Sequence, residues 1–140
     1  MLMVALSGLI RAEHTAGGPG QKDNLNQQMA KAVGDFIKTL NATQKTEVMR
    51  PLSDTVRFNW HFVPRDRAGL NLKRMSEPQR QAAMRMVEVV LSDEGYTKIK
   101  EVIDLENVLR VLESRPPNDT RRDPENYAFL VFGDPATKAP

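Results

Sequence analysis

Cysteine is absent from the 140-residue chain. That excludes disulfides, thiolate metal ligands and thiol nucleophiles, but it leaves the compartment open, because exported and cytoplasmic proteins alike do without it. Histidine is nearly as scarce, with only His14 and His61. A zinc motif of two histidines four apart on a helix cannot form, and no metal site is expected. Aromatic residues make up 6% of the chain, with one tryptophan, too few to interleave with cations as a stacking platform for single strands. The excess of positive charge is also thin: 20 Lys and Arg against 18 Asp and Glu give +2. No nucleic-acid partner is expected from that balance. No apolar run approaches the roughly 20 residues of a spanning helix, so no transmembrane segment is expected. Signature loops are missing as well. There is no GxSxG elbow, P-loop, GxGxxG or calcium-loop spacing, and Gly17-Gly-Pro-Gly20 precedes no strand–helix unit.

What remains is ordinary globular composition, 40% apolar and 27% charged, in one domain's length of chain. Met1–Ile10 is a short apolar stretch, and the glycine-rich run that follows to Lys22 reads as a flexible linker. Residues 1–22 are therefore read as a flexible N-terminal segment, with a signal-peptide remnant and a plain frayed terminus both open. The compartment stays unassigned, periplasmic or secreted against cytoplasmic. Residues 23–140 form the expected domain.

Leu25, Met29, Val33, Phe36, Ile37 and Leu40 recur at three- and four-residue steps and predict a helix over 24–40. Asn41 and Gln44 have capping-box form and open a short helix ahead of Pro51. Over 54–64 the period changes: Val56, Phe58, Trp60 and Phe62 alternate with polar partners, which predicts a half-buried strand at about 55–62. Ser76 and Gln79 make a second capping box, with Pro78 in the first turn, and Ala83, Met86, Val87, Val90 and Leu91 face inward. Ser92 restarts the chain into a helix that runs to about Glu113 and ends before Pro116-Pro117. Tyr127–Phe132 reads as a second strand with at most one partner in the chain. The cap-like openings are unequally spaced, so a repeat architecture is rejected. The fold class is mainly α with a minor β component: about four helices and one or two short strands.

One carboxylate breaks the pattern. At 100° per residue, Tyr96, Ile99, Val102, Ile103 and Leu109 make one inward stripe of the last long helix, and Glu106 falls inside it. A charge buried there needs a cation and hydrogen-bond donors, because leaving it unpaired costs several kcal/mol. Arg57, His61 and Arg80 are the expected compensators, giving a candidate polar constellation of Arg57, His61, Arg80 and Glu106. Three readings of Glu106 stand: a packing pair with an arginine, a rim carboxylate that reaches solvent, and a catalytic or ligand-binding group. His61 likewise reads as a hydrogen-bonded core residue, a general base or a lone metal ligand. The stretch from Arg57 to Arg85 carries seven cations against Asp66 and Glu77, an expected face for an anion or small molecule, with solubilising charge as the alternative.

The segment Arg57-Phe-Asn-Trp-His-Phe-Val-Pro64 also carries a likeness. Together with Gly69-Leu70, Gln79-Arg80, Leu91–Tyr96, Leu105-Glu106, Arg122-Asp-Pro124, Tyr127 and Phe132-Gly133, it resembles the bacterial family called domain of unknown function 3500. The order and spacing agree from about Phe36 to Pro135. The resemblance implies a longer protein, continuing into a tryptophan-containing stretch and a Gly-His-His element, so the 140 residues read as an N-terminal portion or fragment. It assigns no activity and leaves the cofactor open, although the paired histidines look like a metal or acid–base site. Two functions follow. The favoured one is a structural or ligand-binding N-terminal portion. The alternative is the N-terminal half of an exported, hydrolase-like and metal-dependent enzyme whose remaining site residues lie beyond Pro140. Cofactor and oligomeric state are left unassigned.

Overall fold

The computed structural model describes residues 19–59 and 66–136. The expected apolar stretch at 1–10 and the residues Trp60–Arg65, which include His61, lie outside the described residues. The architecture is mainly α with minor β. Helix α1 (Pro19–Thr39) starts five residues before the apolar periodicity, taking in the last four residues of what was expected as linker. Its stripe buries Ala32, Val33, Phe36 and Leu40, while Leu25, at the same spacing, is exposed. Helix α2 (Ala42–Val48) begins at the expected capping box: the Gln44 N–H donates to Asn41 Oδ1 (2.9 Å) and the Asn41 N–H donates to Gln44 Oε1 (3.1 Å). These two bonds satisfy donors that a helix start leaves orphaned.

Helix α3 (Glu77–Val90) packs against α1 and supplies Ala83, Met86 and Val87 to the core. Its capping glutamine does more than cap. Gln79 Oε1 accepts from the Ser76 N–H (2.9 Å), while Nε2 donates to Thr39 O (2.9 Å) and Gln44 Oε1 (2.8 Å). One buried amide thus ties together the end of α1, the start of α2 and the start of α3. Helix α4 (Asp93–Leu112) starts at Ser92, whose hydroxyl accepts from the Gly95 N–H (3.1 Å). None of its residues is fully buried. Tyr96, Ile99 and Ile103 pack half-buried on the core, as expected, whereas Val102 faces solvent.

The β component differs from expectation in two ways. The strand predicted at about 55–62 is, over its described part, a 3₁₀ turn at Thr55–Phe58. Asp54 caps it by accepting from the Val56 N–H (2.9 Å), and Phe58 is 67% exposed with the Arg57 guanidinium 4.4 Å from its ring centroid. Alternation suits a strand only where a neighbour completes the ladder, and here a local carboxylate cap closes a turn first.

The second difference concerns Tyr127–Phe132, which is buried throughout and has two partners rather than one. Strand β1 (Met49–Arg50) runs parallel to β4 (Val131–Phe132), with Met49 opposite Val131. Strand β2 (Leu70–Asn71) runs antiparallel to β3 (Ala128–Phe129), with Leu70 opposite Phe129. Gly69 makes the second ribbon possible. Its φ is +104°, and a Cβ there would lie 2.4 Å from the Phe129 carbonyl oxygen. Phe129 then meets Phe36 of α1, ring centroids 6.3 Å apart, at the centre of the core.

Candidate functional site

Glu106 lies on the inner side of α4, as its position in the stripe predicts, with 20% of its side chain exposed. Its compensators are different from those expected. Oε1 accepts from the Tyr127 hydroxyl (3.2 Å) and Oε2 from Arg122 Nη1 (3.4 Å). Both partners come from the irregular segment between α4 and β3. Two-residue and four-residue periodicities describe regular elements, so they carry no information on where such a segment folds back.

Arg122 is the hub of a wider network. Its Nη2 (2.5 Å) and Nε (3.1 Å) both donate to Glu113 Oε1, at the end of α4. Glu113 also accepts from Arg115 Nε, and Arg115 Nη1 donates to Asp119 Oδ2 (3.0 Å). The other Asp119 oxygen accepts from the Arg121 N–H (2.6 Å) and Arg122 N–H (3.3 Å). The arginines hold Glu113 at about 2, well below the usual carboxylate range, Arg122 contributing more than Arg115. Burial, reinforced by the neighbouring Glu106, pushes the Tyr127 phenol up to about 12. Tyr127 is therefore a protonated donor at neutral pH, which suits its bond to a carboxylate.

Arg80, the third member of the expected constellation, turns to the same segment at another point. Its guanidinium pairs with Glu125 and donates from Nε to Met75 O (3.2 Å). Lys73 pairs with Asp123 (2.8 Å). The expected four-residue constellation is thus not assembled among the described residues: Glu106 has Arg122, Arg80 has Glu125, Arg57 covers Phe58, and His61 lies outside them. The basic surplus is also partly spent in pairs, since Arg74 meets Glu47 (2.8 Å) and Arg85 meets Glu88 (2.6 Å).

Beside the Arg80 pair, α3 and α4 border an open groove of about 490 Å³. Leu72, Met84, Tyr96 and Ile103 supply its apolar surface. Arg80 and Arg85 on its wall are already paired. Lys100 is not paired to a carboxylate among the described residues; its ammonium sits 4.8 Å from the Tyr96 ring centroid. No three His, Cys, Asp or Glu side chains among the described residues gather closely enough to hold a metal ion, and no described helix is long and apolar enough to cross a membrane.

Residues 22–140 match the family model described as "Protein of unknown function (DUF3500)". The chain belongs to the DUF3500 family. No curated protein and no solved structure matches it. Membership brings no activity with it, so the enzyme alternative gains no support. Within this DUF3500 chain, the segments that carry the likeness include both halves of the observed contact, Leu105-Glu106 on one side and Arg122-Asp-Pro124 with Tyr127 on the other. Glu113 and Arg115 were not singled out by sequence; the available signal was their density of opposite charges around a proline pair.

Proposed function

We propose that the chain is a non-catalytic structural and ligand-binding portion, in which Glu106 serves packing and the α3–α4 groove receives a small molecule. The observation that carries this is that both oxygens of Glu106 are taken up by Arg122 and Tyr127, so the inward carboxylate holds the segment before β3 against α4. A general base must be aimed at its substrate's proton, whereas each Glu106 oxygen is turned to a donor of the chain itself. The groove has the volume of a small-molecule site, and Lys100 offers one cation beside an apolar surface, with Glu77 and Asp104 as acidic neighbours on the same lining. A ligand with an apolar body and a single anionic group fits that combination. As the family resemblance implies, the same proposal makes the chain the N-terminal portion of a longer bacterial polypeptide.

The probe is 8-anilinonaphthalene-1-sulfonate, which has an aromatic body and one sulfonate. Saturable one-to-one binding is expected, weakened at least fivefold by Lys100→Ala with an unchanged circular dichroism spectrum. Equal binding to both proteins would overturn the groove reading. Glu106→Gln is expected to lower stability by about 1 kcal/mol, as loss of one partly exposed charged hydrogen bond should. An unaltered melting temperature would remove the packing role.

A further inference from the structure

The charges on the lining of the α3–α4 groove cancel: Glu77, Glu88 and Asp104 balance Arg80, Arg85 and Lys100. The three cations are not equivalent. Lys100 sits over the Tyr96 ring. Arg85 is matched from within its own helix by Glu88 (2.6 Å), itself a lining residue. Arg80 is matched from outside, because its partner Glu125 belongs to the irregular segment before β3 and is not part of the lining.

We propose that Glu125 is an internal competitor for the groove, occupying Arg80 in place of the acid group of a ligand. This rests on the groove as a small-molecule site and adds what controls its affinity. The contact has the chemistry of a bound acid, a carboxylate oxygen on a guanidinium. Arg80 does not need Glu125 to keep its place, since its Nε is fixed by Met75 O (3.2 Å) at the start of α3. The carboxylate, in turn, is free to leave. Glu125 and Arg80 expose 39% and 32% of their side chains. The backbone around Glu125 is held without its carboxylate: its N–H donates to Asp123 Oδ1 (2.9 Å), its carbonyl accepts from the Lys73 N–H (3.0 Å), and Asp123 pairs with Lys73. The side chain can therefore turn to water while the segment stays docked.

Displacement also changes the charge that a ligand meets. Glu88 released from Arg85 would stay on the lining, whereas Glu125 takes its charge out of reach when it turns away. An acid ligand thus finds one available cation while Glu125 is in place and two once it has gone. The apparent affinity falls with the fraction of molecules in which Arg80 is released. A partly exposed ion pair holds its partners by no more than about fivefold, enough to set an affinity and little enough for a ligand to overcome.

The test is a double-mutant cycle on the 140-residue chain, titrated with 8-anilinonaphthalene-1-sulfonate. Glu125→Gln is expected to tighten binding about two- to fivefold with an unchanged circular dichroism spectrum. Glu125→Ala should repeat the gain, with no polar head left to hold Arg80. In an Arg80→Gln background the Glu125 substitution is expected to do nothing, because the cation it would release is gone. Equal tightening in both backgrounds would reduce the effect to overall charge, and no tightening would show that Glu125 does not compete. Either result overturns the proposal and leaves the groove standing, provided that Lys100→Ala still weakens binding. Lys100→Ala without effect overturns the groove and its regulation together.

Discussion

At the residue scale the molecule depends on a few side chains that hold irregular backbone in place. Glu113 is the clearest. Unfolded, its carboxyl titrates near 4.5; folded, between Arg122 and Arg115, it titrates at about 2. Its folded value is depressed, so its contribution is complete above the unfolded value and is lost as pH falls from about 4.5 toward 2. Melting temperatures of the wild type and Glu113→Gln should therefore differ at pH 6 and converge by pH 2. A constant gap across that window would show that the charge is irrelevant. Glu106 illustrates what residue-scale reading gives and withholds. Helical phase alone places it on the inner face of α4, and desolvation alone demands a cation. Which cation depends on a sixteen-residue excursion of the chain to Arg122, which no local rule describes.

At the scale of elements, the helices were legible because each carries redundant signals. α2 has a capping box that the structure reproduces bond for bond, α3 keeps the bond from the Ser76 N–H to Gln79 Oε1, and the stripes of α1 and α3 meet each other as their spacing requires. The strands had no such redundancy. β1 and β2 are two residues each, too short for alternation to register, and they exist because Tyr127–Phe132 offers them an edge. The alternating stretch after Asp54, by contrast, has the right pattern and forms a turn in its described part. Gly69 is the element-scale feature most open to test. Gly69→Ala combines a positive φ with a clash against the Phe129 carbonyl, so it is expected to cost roughly 1–3 kcal/mol, measured by urea denaturation. A neutral result would mean that β2 and β3 can separate without consequence.

For the whole molecule, the groups buried by α1, α3 and the central segment Tyr127–Phe132 form one hydrophobic cluster. α4 belongs to it by one side only, through Tyr96, Ile99 and Ile103, while Val102, Leu105, Val108, Val111 and Leu112 stay exposed. Removal of residues 127–140 takes Tyr127, Phe129 and Val131 out of the cluster and leaves β1 and β2 without partners. A chain ending at Asn126 is expected to lose its cooperative melting transition and the dispersion of its methyl proton resonances. A sharp transition in that truncated chain would show that the helices fold without the central segment.

The position of Tyr127–Phe132 has a consequence for synthesis. Both ribbons and Phe36 wait for a segment that is translated well after α1 and α3. While it is still inside the ribosome, α1 and α3 can meet but cannot be sealed, and their greasy sides remain available to chaperones. The core closes when that segment emerges, rather than growing from the N-terminus outward.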